Sequence, residues 1–181
     1  MGNSLTKKEK ASQQFAEVYN RESDAVFRFC LFRTSDRDMA LDFTQDTFMR
    51  FWNSLQKDRK IDNHRTFLFT IARNTIIDWY RKKKAVSLDA ILEEVGADRS
   101  IFTAVARENV ETEFEAQHLL EKISSLVEPY QHAVYLRCVE ELKPRQIAEI
   151  LGESANVISV RISRGLSQLR AMLQIKDEKA S

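Results

Sequence analysis

Glycine and proline are scarce in this chain, with four Gly and two Pro among 181 residues. A β-sandwich or barrel needs turn residues roughly every ten positions, because its many short strands must repeatedly reverse direction. The long runs in this sequence instead place apolar residues three, four and seven positions apart, which predicts amphipathic helices. We therefore expect an all-α protein, long enough for one ordinary domain or two small ones.

The first half of the chain predicts three helices. Residues 12–33 carry one apolar stripe, composed of Phe15, Val18, Tyr19, Val26, Phe29 and Cys30. A second helix ends near residue 55 and a third near residue 84, and each follows a short side chain that can accept hydrogen bonds from first-turn amides. The candidate caps are Ser35 or Asp36 for the second helix and Asp62 or Asn63 for the third. Such lengths and short links are typical of a small helical bundle.

The third helix has two unlike faces on a helical wheel. One is apolar and forms the predicted core: Phe67, Leu68, Ile71, Ala72, Thr75, Ile76 and Trp79. The other mixes cations, hydroxyls, an amide and rings: Thr66, Phe69, Thr70, Arg73, Asn74, Ile77, Tyr80, Arg81 and Lys84. Cations contact phosphates, while rings and amides contact unstacked bases, so this face predicts a nucleic-acid surface. The alternative is that Phe69 and Tyr80 pack against the first helix.

The second helix carries methionines on its polar face. Its apolar face consists of Ala40, Leu41, Phe43, Thr47, Phe48, Phe51, Trp52 and Leu55. Its polar face consists of Met39, Asp42, Asp46, Met49, Arg50 and Asn53, with Gln45 at the edge. An adaptable apolar side chain ringed by polar residues is typical of the centre of a protein interface. This face therefore predicts a protein partner, and a plain solvated face is the alternative.

Charge is unevenly distributed, although the net charge is only +1. Residues 57–84 hold nine Lys/Arg against three Asp/Glu, residues 85–128 hold three against ten, and residues 143–170 hold five against two. This pattern predicts two nucleic-acid-facing units joined by an acidic connector that stays solvated or occupies a basic channel. Charge runs that are merely solvated faces are the alternative.

Residues 144–173 have the spacing of a helix-turn-helix. Pro144 suits the first turn of a helix, Gly152 can form the tight bend, and Ser154 or Asn156 can cap a longer second helix. The predicted inward residues are Ile147, Ala148, Leu151, Ile158, Ile162, Leu169 and Leu173. Arg and Asn can read base edges in a DNA major groove, and Val can meet a thymine methyl. The second helix would present six such candidates to the groove: Asn156, Val157, Ser159, Val160, Ser163 and Arg164. An ordinary helical hairpin is the alternative.

Neither an enzyme nor a metal protein is predicted. The chain has no carboxylate pair, nucleophile–base set or phosphate-binding glycine loop, and His64, His118 and His132 lack plausible metal partners, so we expect no cofactor.

Cys30 and Cys138 are expected to be buried thiols in a reducing cytoplasm. The N-terminus lacks the apolar core of a signal peptide, and no run approaches the ~18 to 20 apolar residues of a membrane span. We therefore expect a cytoplasmic protein without membrane insertion.

Three stretches occur in a familiar order: DMALDFTQDTFMRFW at 38–52, FLFTIARNTIIDWYRKKK at 67–84, and RQIAEILG with VRISRGLSQLR between 145 and 170. Together they resemble the extracytoplasmic-function (ECF) group of bacterial RNA polymerase sigma factors, over nearly the whole chain. The resemblance implies two small helical domains: sigma region 2 at 1–84 and a sigma region 4 helix-turn-helix domain at 116–175. It also implies an acidic linker at 85–115, which in the family threads toward the RNA channel of polymerase, and a tail at 176–181.

The resemblance implies a protein that binds core RNA polymerase, recognises the minus-thirty-five and minus-ten promoter elements and promotes strand opening. The family's Asp-x-x-Gln-x-x-Phe pattern matches Asp42, Gln45 and Phe48, and implies polymerase contacts at Asp42, Gln45, Asp46, Met49 and Asn53. The Ala-Arg-Asn…Asp…Arg pattern matches Ala72, Arg73, Asn74, Asp78 and Arg81. Minus-ten contacts are then expected at Arg59, Lys60, Asp62, Asn63, His64, Arg73, Asn74, Tyr80 and Arg81. Minus-thirty-five contacts are expected at Arg145, Asn156, Val157, Ser159, Val160, Arg161 and Arg164. An inhibitory anti-sigma factor is implied as a further partner.

Several residues depart from the family pattern. Phe67 stands where Trp is usual, Glu153 replaces an apolar residue, and Val157, Ser159 and Val160 replace the common Thr, Lys and Ser. Fewer cations should weaken or redirect recognition of the upstream element. A rival interpretation is a stand-alone helix-turn-helix DNA-binding regulator with an N-terminal partner-sensing bundle. That rival explains residues 144–173 but leaves the polar face of the second helix without a role.

Overall fold

The computed structural model describes residues 6–87 and 110–179. The chain divides between residues 101 and 102 into two compact units, each with its own apolar core. Within the described residues there are seven α-helices and no strand, so the predicted all-α fold is confirmed. None of these helices combines the length and the hydropathy that a bilayer crossing requires.

The first unit is a bundle of three helices: α1 (Lys7–Thr34), α2 (Arg37–Gln56) and α3 (His64–Ser87). Both predicted cap positions are occupied by an acceptor. Asp36 Oδ1 accepts from the Met39 amide at 2.9 Å, and Asn63 Oδ1 accepts from the Thr66 amide at 2.9 Å. These bonds satisfy first-turn donors that have no partner within the helix. Of the alternatives offered by the sequence, Asp36 caps α2 and Asn63 caps α3.

Aromatic rings fill much of the core of the first unit. The Phe15 ring stacks on Phe51 with centroids 6.0 Å apart, and the Phe29 ring of α1 meets Phe69 of α3 at 5.2 Å. All three helices contact one another, so α3 is covered on two sides. The largest fully buried side chains of this unit are Val26, Phe29, Phe51, Leu68, Phe69 and Ile76.

Two side chains that the helical wheel placed on the nucleic-acid face of α3 lie in the core. Phe69 is 0% exposed and Thr66 is 1% exposed. Because α3 packs against both α1 and α2, its buried arc is wider than one wheel face and includes the side that meets Phe29. Tyr80 remains 43% exposed, so the alternative of packing against α1 is correct for Phe69 alone. In the opposite sense, Leu41 was assigned to the apolar face of α2 but is exposed.

The second unit contains α4 (Val110–Ser124), α5 (Glu128–Cys138), α6 (Pro144–Leu151) and α7 (Ala155–Lys179). Helix α7 packs against both α5 and α6. A Cβ atom added to Gly165 of α7 would lie 2.5 Å from Cγ2 of Val134, so only glycine allows α7 to approach α5 this closely. The core around this contact includes Ile123, Val134, Tyr135, Leu136, Ile147, Ile150 and Ile158.

The predicted helix-turn-helix is formed by α6 and the first half of α7. Gly152 ends α6 in the left-handed conformation with φ of 69°, which a glycine adopts without strain. Ser154 Oγ then accepts from the Val157 amide at 3.3 Å, so Ser154 is the cap. Ile147 and Ile158 are fully buried as predicted, whereas Leu151 is only half-buried and Leu173 is exposed.

The two cysteines differ in environment, and the prediction that both are buried is wrong for one of them. Cys30 lies in the core of the first unit, where burial raises its thiol pKa to about 12. Cys138 is the last residue of α5 and is exposed. Partial burial still raises the pKa of the Cys138 thiol by desolvation, and the Arg137 charge opposes that shift.

Candidate nucleic-acid and partner interfaces

The outer surface of α2 presents two apolar side chains within a polar rim. Met49 is 65% exposed and Leu41 is 42% exposed. The buried Phe48 ring, 4.8 Å from Tyr19 of α1, fixes the rotation of α2 and so directs Met49 outward. We call this surface the α2 face, formed by Leu41, Asp42, Gln45, Asp46, Met49 and Asn53; all are exposed except Asp46, which is half-buried and pairs with Arg50 at 3.0 Å.

A second surface combines cations, an amide and rings on α3. Arg73 Nη1 donates to Asn74 Oδ1 at 3.3 Å, and Arg81 Nη2 lies 3.0 Å from Asp78 Oδ1. The Tyr80 ring is 4.9 Å from that of Trp79. Arg73 is half-buried, while Asn74, Tyr80 and Arg81 are exposed. We call Arg73, Asn74, Tyr80 and Arg81 the α3 face, because they follow one another along the helix at spacings that keep them on one side.

The loop between α2 and α3 places further polar groups next to the start of α3. The Arg59 guanidinium carbon lies 5.0 Å from the centre of the Phe67 ring. Lys60 Nζ is 3.8 Å from Asp62 Oδ1, and both side chains are almost fully solvated. Arg59, Lys60, Asp62 and Asn63 are all exposed. Their polar side chains can therefore reach a ligand without a change in the core.

His64 has a different setting from the rest of the predicted minus-ten set. It is half-buried, its Nε2 lies 2.8 Å from Gln14 Nε2, and its ring packs edge-on against Phe51 at 5.7 Å. A side chain held on two sides is better suited to fixing the start of α3 than to reaching outward. The structure thus brings His64 to the base of the loop and leaves the other predicted loop residues, Arg59, Lys60, Asp62 and Asn63, on the surface.

Helix α1 holds the start of α3 through a buried charge that the sequence analysis missed. The Glu22 carboxylate accepts from Arg65 Nη1 at 2.7 Å and from Arg21 Nε at 2.9 Å. A buried carboxylate is rarely tolerated unless it is paired. The available signal was the position of Glu22, four residues from both Val18 and Val26 within the apolar stripe of α1. Lys7 of α1 also pairs with Asp58 of the loop.

The third surface is the N-terminal half of α7. Val157 is 38% exposed and Val160 is 49% exposed, whereas Ile158 between them is buried. Arg161 is half-buried, and its Nη2 lies 3.0 Å from Glu153 Oε1 in the turn. The remaining predicted minus-thirty-five residues are exposed: Arg145, Asn156, Ser159 and Arg164. We call Asn156, Val157, Val160 and Arg164 the α7 face.

Two sigma-factor families match the chain: Sigma-70 region 2 over residues 18–86, and Sigma-70, region 4 over residues 116–169. ECF RNA polymerase sigma factor SigM of Bacillus subtilis (strain 168) is 31% identical over 160 residues, which are 86% of this chain and 93% of SigM. The chain belongs to the ECF sigma factors. RNA polymerase sigma factor YlaC of the same organism is 26% identical over 161 residues, covering 89% of this sigma factor and 92% of YlaC.

The fold of this sigma factor also resembles a solved structure, that of the sigma factor RpoE in complex with the anti-sigma factor NepR from Bartonella quintana. The TM-score is 0.70 at 23% sequence identity, and the match covers 90% of this sigma factor and 98% of RpoE. At this identity the likeness supports the fold, with a helical bundle and a helix-turn-helix domain in one chain.

Family membership confirms the predicted function, which is transcription initiation as an ECF sigma factor. It also distinguishes that function from the rival interpretation. A stand-alone helix-turn-helix regulator requires no region 2. The region 2 match at residues 18–86 nevertheless includes all of α3 except its last residue. The α2 and α3 faces both belong to region 2, and the α7 face belongs to region 4.

Proposed function

We propose a division of labour among the three faces of this sigma factor. The α2 face binds core RNA polymerase, the α3 face and the loop at 57–63 hold the opened minus-ten element, and the α7 face with Arg145 grips the minus-thirty-five element. Region 2 corresponds to residues 1–84 and region 4 to residues 116–175. The connector at 85–115, which falls largely outside the described residues, acts as the acidic linker between them, and residues 176–181 form a tail.

The single observation that carries this proposal is the exposure of Asn74 and Tyr80 beside Arg73 on α3. A ring, an amide and a guanidinium at one surface match the three parts of a nucleotide: the base face, the base edge and the phosphate. Unstacking a base costs a few kcal/mol, and stacking on Tyr80 with hydrogen bonds to Asn74 offsets that cost. Binding energy alone then favours open DNA, without any bond chemistry by the sigma factor.

The α2 face supports the polymerase contact because its apolar centre is small and its rim polar. Met49 and Leu41 can desolvate against a partner, while Asp42, Gln45 and Asn53 supply hydrogen bonds at the edge. Since RpoE is found in complex with NepR, we also propose that an anti-sigma factor binds this sigma factor. This sigma factor would act in the cytoplasm, where polymerase and promoters are found.

Reconstitution with core polymerase tests the proposal. Promoters would first be mapped genome-wide after brief overproduction, and we expect the bound sites to share a two-part motif. Adding the sigma factor to core polymerase on such a promoter should then produce permanganate-reactive thymines at the minus-ten element. The sigma factor could instead bind the motif with the same affinity with and without polymerase, and open no strand. That result would contradict the proposal and support a stand-alone regulator.

A further inference from the structure

The α7 face is unusually apolar for a surface that meets DNA. Val157 and Val160 lie three positions apart on one side of the helix, and their exposed fractions are 38% and 49%. Ile158 and Ile162 fill the buried side of the same helix, so the two valines are not part of the buried core. Two branched hydrocarbon side chains therefore stand where a major-groove-reading helix would meet base edges.

The cation that follows Val160 in the sequence is paired with an acid in the turn before α7. Arg161 reaches back to Glu153 in the turn, with 3.0 Å between Nη2 and Oε1, and its side chain is only 26% exposed. An ion pair of this kind neutralises the guanidinium locally and fixes it at the edge of the surface. The centre of the α7 face is thereby left to hydrocarbon, with the exposed Arg164 one turn beyond Val160.

One base presents hydrocarbon in the major groove. All four bases offer hydrogen-bond donors or acceptors there, but only thymine adds a C5-methyl group. We infer that Val157 and Val160 read thymine methyl groups in the upstream promoter element, and that Glu153 is a positioning residue that holds Arg161 clear of them. The inference rests on the proposed function, since it specifies what the α7 face recognises.

Replacing thymidine by deoxyuridine tests this directly, because uracil lacks only the methyl group. The probe is the duplex that polymerase holoenzyme selects from a pool with a randomised upstream element and a fixed downstream promoter. At one fixed salt concentration, each deoxyuridine at a read position should weaken binding about fourfold, the value of one buried methyl-sized group. In holoenzyme carrying Val157→Ala or Val160→Ala, the ratio of thymidine to deoxyuridine affinity should fall toward one at the corresponding position.

Controls separate methyl reading from general damage. Gln168→Ala, an exposed change later on α7, should leave the thymidine-to-deoxyuridine ratio unchanged. Glu153→Ala should release Arg161 to a phosphate and steepen the dependence of log affinity on log salt by about one contact, whereas Glu153→Gln, which keeps an acceptor, should change it less.

The outcomes also distinguish this inference from the proposed function. If wild-type holoenzyme selects an upstream element and opens the promoter, but binds thymidine and deoxyuridine duplexes equally, the methyl inference is overturned and the proposed function stands. A selected upstream element with no thymine on either strand would overturn the methyl inference in the same way. If holoenzyme selects no upstream element at all, the proposed role of the α7 face fails and takes the inference with it.

Discussion

The Arg65 guanidinium lies 2.7 Å from the Glu22 carboxylate, and the Glu22 side chain is only 3% exposed. Glu22 belongs to α1 and Arg65 to the first turn of α3, so this ion pair crosses the bundle just below the loop at 57–63. Removing Glu22 takes this acceptor from the half-buried Arg65 guanidinium, and losing one partner of a buried ion pair costs more than the pair itself contributes. The start of α3 is therefore fixed by an ion pair between residues that lie outside the faces proposed to bind DNA.

Glu22→Ala should accordingly lower the free energy of unfolding by about 2 to 3 kcal/mol. Urea denaturation followed by circular dichroism measures this loss. Asp24→Ala, an exposed acid on the same helix, should change the free energy by no more than about 0.5 kcal/mol. Equal effects of the two changes would show that the ion pair does not stabilise the bundle.

Met49→Ala should weaken binding to core polymerase by about 2 kcal/mol, or roughly thirtyfold, because Met49 is the most exposed apolar group of the α2 face. Fluorescence anisotropy of labelled sigma factor titrated with core polymerase gives the affinity. Gln56→Ala at the end of the same helix is the matched control and should bind as wild type. A wild-type affinity for Met49→Ala would place the polymerase contact elsewhere.

The double change Arg73→Ala with Asn74→Ala should leave polymerase association intact and reduce strand opening about tenfold or more. It removes the proposed phosphate and base-edge contacts, and hydrogen bonds that involve a charged group are worth ~1.5–3 kcal/mol each. Permanganate reactivity of minus-ten thymines measures opening, and gel filtration with core polymerase measures association. Lys10→Ala, which removes a cation from the exposed side of α1, should open DNA normally. Undiminished reactivity in the double variant would count against the α3 face.

Gly165→Ala should destabilise region 4, because the new methyl group would lie 2.5 Å from Val134 Cγ2 and 3.1 Å from Tyr130 Cβ. Overpacking costs about 1–3 kcal/mol, which outweighs the ~1 kcal/mol that alanine gains over glycine in a helix. Adding Val134→Ala should relieve the clash, so the two changes together should cost less than their sum in thermal unfolding.

Gly152→Ala supplies the contrast for that experiment. No heavy atom lies within 4 Å of its added Cβ, but φ is +69°, so the expected cost of ~1 kcal/mol comes from the backbone alone. Val134→Ala should give Gly152→Ala no relief. Simple additivity in both pairs would mean that Val134 does not limit the approach of α7 to α5.

The two thiols should react at very different rates with a disulfide reagent. Thiolate is the reactive form, and burial raises the Cys30 pKa to about 12, so Cys30 should react only when the chain unfolds. Cys138 is exposed but its pKa is raised above 9.0, so it should react more slowly at neutral pH than the same thiol in urea. This difference between the Cys138 rates in the folded chain and in urea should narrow as the pH rises.

Absorbance of the released reagent thiolate follows both reactions, and Cys138→Ser assigns the fast phase. Two fast thiols in the folded chain would contradict the burial of Cys30. A Cys138 rate that is independent of pH would contradict the raised pKa.

Periodicity and capping chemistry predicted most of the fold, because they are local properties of the chain. The caps at Asp36 and Asn63, the Gly152 turn and the buried Ile147 and Ile158 all follow from residues within one or two turns. The polar and apolar faces of α2 were largely predictable for the same reason. The exposed Leu41 is the exception, since a wheel does not show how much of a face the neighbouring helices cover.

The features that were missed depend on distant parts of the chain. Phe69 is buried because Phe29, forty residues earlier, lies against it, and the Glu22–Arg65 pair spans 43 residues. A periodicity argument treats each helix alone and cannot give the width of a face covered by two neighbours. Cys138 shows the opposite case, in which a residue type that is usually buried lies at an exposed helix end.

Asn63 caps α3 and also belongs to the loop proposed to meet DNA. An alanine scan of that loop would therefore confuse two effects at this position, since it removes the acceptor for the Thr66 amide together with any group that touches a base. Serine keeps an acceptor that can cap the helix and removes the amide group without adding a charge. Comparing the serine and alanine exchanges would separate the architectural duty of this side chain from its proposed part in base recognition.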